Sequence, residues 1–229
     1  MKMVVLLACQ HLNFGVNMKK NITISLILML QLISCGWIGF NAPPDIIDNK
    51  LPYWSKLGAR TTDELNMIVI HATELRDMAE ARKYGERVLY ADKTGASGHY
   101  YIDRDGTVIQ YVPDNRIANH TSGWNSRTLG IELINLGRFP NWYHTDFQKM
   151  EERYPPDQIN ALISLVKELK SRYPSIKFTN GHENLDTRLV PSQNEPEILV
   201  SRKMDPGAYF PWEQFTEAVK LIKKVPNKK

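Results

Sequence analysis

Cysteine is nearly absent from this 229-residue chain: there are two, Cys9 and Cys35, and none after position 35. The bulk of the chain therefore has neither a disulfide framework nor a thiolate metal site, so any metal there must be held by His, Asp or Glu. Acidic residues are missing from the first 34 positions, which carry Lys2, Lys19 and Lys20. The formal charge of +4 belongs largely to this leader, because outside it 26 basic side chains face 25 acidic ones. A neutral body has no charge excess with which to hold a phosphate backbone, which argues against nucleic acid as a partner. Repeats and low-complexity tracts are also missing. The length and the 42% hydrophobic content suit one globular domain with a proper core.

The leader has the marks of a targeting segment. Met18-Lys19-Lys20 is a positive start, Met18 is a candidate true initiator, and the uncharged apolar stretch 22–34 has signal-peptide length. It runs into Leu32-Ile33-Ser34-Cys35, which resembles the bacterial lipobox, with Cys35 the lipid-modified residue. Gly36 after that cysteine points to the outer membrane, and lipid chains on Cys35 anchor stably because each buried methylene contributes about 0.8 kcal/mol. Two other readings stay open: an uncleaved anchor over 22–40, or a plain thiol after a cleaved signal. The expected organisation is a signal segment 1–34, a lipidated Cys35 with a tether to residue 60, and a domain over 61–229.

Within that domain, "MIVIHAT" (67–73) reads as a strand buried on both faces. Residues 99–112 read as a hairpin around Asp105-Gly106, and "TLGIELIN" (128–135) as another apolar strand. Ile159, Leu162, Ile163, Val166 and Leu169 recur at helical spacing over 155–174, bounded by prolines. Residues 212–224 predict a closing amphipathic helix. Strands and helices mix without strict alternation, so the expected class is α/β, a single domain with a mixed sheet covered by helices.

Four of six histidines merit attention; His11 lies in the leader and His144 in a polar loop. His71 ends the buried run and His182 follows a strand-like stretch, both where α/β folds place their sites. Each is either a hydrogen-bonded core histidine or a ligand. In "SRKMDPG" (201–207), Pro206 biases Asp205 towards extended backbone, so Lys203 and Asp205 project the same way. A surface ion pair before a turn is the alternative there. Glu132 interrupts an apolar strand. A buried carboxylate is usually paired, metal-linked or catalytic, unless the strand lies at an edge and Glu132 faces water.

Taken together, "IVIHAT", "HYYIDRDGTVIQYVPD", "ANHTSGWN", "LGIELIN", "NGHENLD" and "RKMDPG" resemble the type 2 N-acetylmuramoyl-L-alanine amidases, a family that includes phage amidases and peptidoglycan recognition proteins. The match spans roughly residues 65–212. It implies the recognition-protein-like fold, a Zn2+ cofactor on His71, His182 and Asp205, Glu132 as the catalytic carboxylate, and Lys203 over the reacting carbonyl. Asn119, His120 and Trp124 match a cleft-lining segment, with Trp124 preferred to Trp142 for stacking on sugar, and His99 matches a supporting position. The implied substrate is peptidoglycan or muropeptides, cut between N-acetylmuramic acid and L-alanine. A non-catalytic binding module and a peptidase acting within the stem peptide are the rivals. Two departures stand out: Gly98 replaces a Tyr found in phage members, and 184–201 is an insertion expected to form a loop beside the cleft. "HENLD" is expected to supply its ligand from a loop as well.

Overall fold

The computed structural model describes residues 43–224. The expected signal segment, Cys35 and the first part of the expected tether lie outside them. Among the described residues, nine strands and four α-helices follow in chain order. The strands are β1 (Ile46–Asp48), β2 (Met67–Ala72), β3 (Tyr100–Ile102), β4 (Val108–Gln110), β5 (Thr128–Leu133), β6 (Phe178–Gly181), β7 (Leu189–Pro191), β8 (Leu199–Ser201) and β9 (Ile222–Lys223). The helices are α1 (Met78–Gly85), α2 (Pro156–Arg172), α3 (His182–Leu185) and α4 (Trp212–Val219).

Seven strands form one sheet in the order β1-β4-β3-β5-β2-β6-β9, while β7 and β8 pair by themselves. In the large sheet only the β3–β4 hairpin is antiparallel. Gly106 turns that hairpin at φ +86°, a conformation that suits glycine. The expected mixed sheet is thus observed. Strand β2 lies between β5 and β6 and every residue in it is buried, as its unbroken apolar run required. Strand β5 is interior too, which removes the edge-strand reading of Glu132.

The core lies where α2 crosses one face of this sheet. Ile159, Leu162, Leu165, Val166 and Leu169 meet Ile68, Ile70, Leu129, Ile131 and Leu133, with Phe215 and Val219 of α4 closing the end. Complete burial of each Leu or Ile contributes about 1.5–3 kcal/mol. Helix α2 opens on a proline that gives up no needed N–H, and the Gln158 amide donates to the carbonyls of Ile102 and Ile134, pinning its first turn to the sheet.

Three boundaries differ from expectation. The domain begins before residue 61: β1 pairs in parallel with β4, and Leu51, Tyr53 and Leu57 are buried at 0%, 3% and 3% exposure. The prolines and asparagines of this stretch conceal a short edge strand and three core residues. The closing helix stops at Val219, where Lys220 takes a left-handed φ of +53°, and Ile222–Lys223 joins the sheet beside β6. The 184–201 insertion contains the β7–β8 hairpin rather than a plain loop, and it leans on the loop 141–148 through Gln193 N–H to the Tyr143 carbonyl.

Candidate metal centre and catalytic cleft

Three chain segments converge at the C-terminal end of β2. His71 is the fifth residue of β2, and it sits beside Glu132 in the β2–β5 register. Side chains paired this way project from the same face of a sheet. Tyr101 of β3 is the next partner of Glu132, so His71, Glu132 and Tyr101 form one row across three strands. Strand β6 then delivers His182. This histidine is the first residue of the single-turn helix α3, not a loop residue as expected. Asp205 arrives from the segment after β8, tied to α3 by the Glu183 N–H to its carbonyl at 3.0 Å and followed by a cis bond to Pro206. A side chain at Gly181 would meet the Pro206 ring at 2.7 Å, so this glycine allows the two segments to approach.

The result is a buried donor set. Ligand atoms of His71, His182 and Asp205 lie within 4.8 Å of one another. Asp205 Oδ2 is 3.0 Å from His71 Nδ1 and 3.2 Å from His182 Nδ1. Its other oxygen, Oδ1, is buried without a hydrogen-bond partner. An orphaned carboxylate oxygen of this kind costs free energy unless a cation meets it. Two imidazole nitrogens and one carboxylate oxygen, with room for a fourth ligand, are a donor set that fits zinc. Burial alone would push the Asp205 carboxyl up, but His182, His71 and Lys203 hold it well below the usual range. It stays a carboxylate.

Around this set lies a cleft of about 390 Å³ whose walls include Glu132, Lys203, Glu74, Asn119, His120, Trp142 and Tyr143. Burial, reinforced by Asp205 and Glu74, raises the Glu132 carboxyl above its ordinary value, while His71 and Lys203 pull the other way. Burial works against charge on Lys203, yet Asp205, Glu74 and Glu132 outweigh it and its affinity for a proton rises. A cation, a carboxylate of raised pKa and a metal-type donor set thus share one cavity.

The expected cleft-lining residues divide. Asn119 lines the wall, its amide bonded to Thr94 and Gly95. His120 also lines it, but both ring nitrogens face protein partners: Nδ1 toward His71 and Thr121, Nε2 toward Thr128. Trp124 does not line it. It is 1% exposed and packs on Met67 and Val69 beneath the site, because the Asn125 side chain turns the preceding loop inward by accepting the N–H groups of His120 and Thr121. Trp142 takes the cleft position instead, with its indole N–H on the Glu74 carbonyl. His99, expected at a supporting position, is fully buried, its Nδ1 accepting the Gly130 N–H at 3.0 Å.

Sequence reasoning missed the strut behind Lys203. Arg138 and Glu74 form a buried pair at 2.7 Å, and Arg138 also donates to the Ser201 carbonyl at 2.9 Å, two residues before Lys203. Glu74 holds φ +50°, and nothing in "HATELRD" signals it. Tyr101 was legible in principle, since hairpin alternation and the β5 register set it beside Glu132.

The family described as N-acetylmuramoyl-L-alanine amidase matches residues 61–208. The chain is 34% identical over 118 residues to the N-acetylmuramoyl-L-alanine amidase AmiD of Escherichia coli, covering 48% of this chain and 37% of AmiD. It is 29% identical over 123 residues to the 1,6-anhydro-N-acetylmuramyl-L-alanine amidase AmpD of Enterobacter cloacae, covering 50% and 52%. The match thus spans about half or less of these relatives' length. The solved structure of E. coli AmiD with anhydro-N-acetylmuramic acid-L-Ala-D-γ-Glu-L-Lys superposes with a TM-score of 0.53 at 25% identity, over 74% of this chain and 62% of that one. With the family motifs falling on His71, Glu132, His182 and Asp205 around one cleft, the chain belongs to the type 2 N-acetylmuramoyl-L-alanine amidase family.

Proposed function

We propose that this protein is a zinc-dependent amidase that hydrolyses the bond between the lactyl carbonyl of N-acetylmuramic acid and the L-alanine of a peptidoglycan stem peptide. The observation that carries the reading is the buried His71–His182–Asp205 set, with its orphaned Asp205 oxygen, opening on the cavity that holds Glu132 and Lys203. Zinc held there would supply Lewis acidity, lowering the pKa of a water to about 7 and polarising a carbonyl.

The chain's own residues do the rest. Glu132 takes a proton from the attacking water, and its raised pKa suits it to hand that proton to the departing alanine nitrogen. Lys203 donates to the oxygen on which negative charge develops, a contribution of about 2.7–4 kcal/mol when one such donor is lost. The Arg138–Glu74 strut fixes the end of β8, two residues before Lys203. Trp142 offers the aromatic face for the sugar. The leader sequence supports a further reading: an envelope protein lipid-anchored at Cys35 in the outer membrane. Loss of metabolic fatty-acid labelling in Cys35→Ser tests that reading.

Incubation of the full-length zinc-loaded protein with purified muropeptides, read by mass spectrometry, tests the activity. A free stem peptide beginning at L-alanine with an intact sugar is the expected product. Peptides shortened within the stem, or sugar-peptides retained uncut, would replace the reading with a peptidase or a binding module.

A further inference from the structure

His120 lies at the cleft but offers the cleft no hydrogen-bonding nitrogen, because both ring nitrogens belong to a chain of hydrogen bonds that can run in the direction a metal on His71 requires. It starts at Thr128. The Thr128 hydroxyl donates its single proton to the Trp124 carbonyl at 3.0 Å. With its proton so placed, its oxygen accepts from His120 Nε2, 3.1 Å away. A neutral imidazole protonated at Nε2 is an acceptor at Nδ1, and His120 Nδ1 lies 3.0 Å from His71 Nε2. Thr121 Oγ1 also lies 3.0 Å from His120 Nδ1 and 3.4 Å from His71 Nε2, and the arrangement that frees His71 Nδ1 for a metal puts the His71 proton on Nε2, leaving Nδ1 bare. That bare nitrogen is the one 3.0 Å from Asp205 Oδ2 and beside His182. A lone pair facing a carboxylate oxygen is repulsive by itself and becomes favourable when a cation stands between them.

The ring of His120 is seated with equal specificity. A Cβ on Gly130 would lie 2.6 Å from both Cγ and Nδ1 of His120, so the imidazole occupies the space a side chain on β5 would fill. The His71 and His120 rings stand nearly perpendicular, centroids 5.2 Å apart at 86°, with the two nitrogens 3.0 Å apart. The Asn125 carboxamide holds the backbone N–H groups of His120 and Thr121, fixing the loop from below.

We propose that His120 is a positioning residue for the metal centre. Seated on Gly130 and polarised by Thr128, it holds His71 in the one tautomer and ring orientation that turns Nδ1 toward Asp205 and His182. The inference rests on the zinc reading of that triad. It replaces the expected substrate-binding role of His120 with an action through His71. Outer partners of this kind typically tune metal affinity by about 10–100-fold.

The test measures zinc affinity of the full-length protein by competition with a chromophoric chelator, with the visible spectrum of the Co2+-substituted protein as a second readout and apo-protein melting as the control for folding. His120→Phe keeps a ring but removes the acceptor, and it should weaken zinc by about 10–100-fold and alter the Co2+ bands. His120→Asn, whose amide oxygen can stand in for Nδ1, should recover most of that loss. Thr128→Val, a near-isosteric change outside the cleft wall, should move affinity in the same direction by less, and it decides the matter if the His120 variants fail to fold. Wild-type affinity in both His120→Phe and Thr128→Val would overturn the proposal, as would His120→Asn binding no better than His120→Phe. His71→Ala separates the two levels: if it retains zinc at wild-type affinity, the metal reading itself fails. If only His71→Ala loses zinc, the triad stands and the role of His120 does not.

Discussion

On the α2 side of the sheet, β5 presents Leu129, Ile131 and Leu133, each at 0% exposure; on the other side it presents Thr128, Gly130 and Glu132. Both sets are interior, and both come from the same six residues, yet they are held by different physics. The apolar set meets Leu162, Val166 and Leu169 through contacts that have area but little direction. The polar set works through direction: which atom donates, which accepts, and where a side chain is omitted. The α2 face therefore tolerates volume-conserving exchange, whereas the cleft face tolerates almost none.

The largest breach of this contrast is His71→Ala on the cleft face. We expect it to lose the metal and reduce amidase turnover to background, with little change in the apo-protein fold, as read by zinc content after gel filtration. Glu132→Gln is next. It should retain zinc and lose about 10²–10⁴-fold in kcat, the usual scale for a positioned acid/base group. Near wild-type turnover in that variant would falsify its assignment. Leu162→Ala attacks the other face. It should cost about 2–5 kcal/mol of stability by urea unfolding, while the folded fraction keeps its kcat and zinc. Should Leu162→Ala change kcat of the folded protein, the two faces are not independent.

The smallest effect lies outside both faces, in the insertion. Asp186 is held well below the ordinary carboxylate value of 3.8, chiefly by the Arg188 side chain, with Arg202 assisting against the cost of burial. A depressed carboxylate contributes stability that is fully present above its unfolded pKa and is lost as pH falls toward its folded one. Hydrogen exchange in the β7–β8 hairpin, taken relative to the intrinsic rate at each pH, should therefore be unchanged from neutral pH down to about pH 4 and quicken only below it. Asp186→Asn should show the quickened exchange already at neutral pH.

The sequence was informative where chemistry and periodicity agree. The run Met67–Ile70 specified a central strand, the spacing Ile159–Leu169 specified α2, and Glu132 was conspicuous because a carboxylate in an apolar strand needs a reason. It was silent where long-range packing decides. Trp124 and Trp142 are alike as residues, and only the turn made by Asn125 sends the first inward. Leu51 and Tyr53 sit among prolines and asparagines, so their burial depends on β1 finding the edge of β4. Arg138 meets Glu74 across 64 positions, a pairing no local pattern encodes.

Gly98 carries a consequence for how such a site can change over generations. A Cβ there would stand 2.7 Å from Glu132 Cγ and 3.1 Å from the Gly130 carbonyl oxygen. The segment just before β3 and the end of β5 thus compete for one volume, so a bulky group at one position crowds a bulky group at the other. Replacing Gly98 by Tyr in this background should be harmful alone, and so should replacing Glu132 by Gly, even where the pair together is tolerated. The two positions are therefore coupled, and a double-mutant cycle between Gly98→Tyr and Glu132→Gly should show effects that do not add.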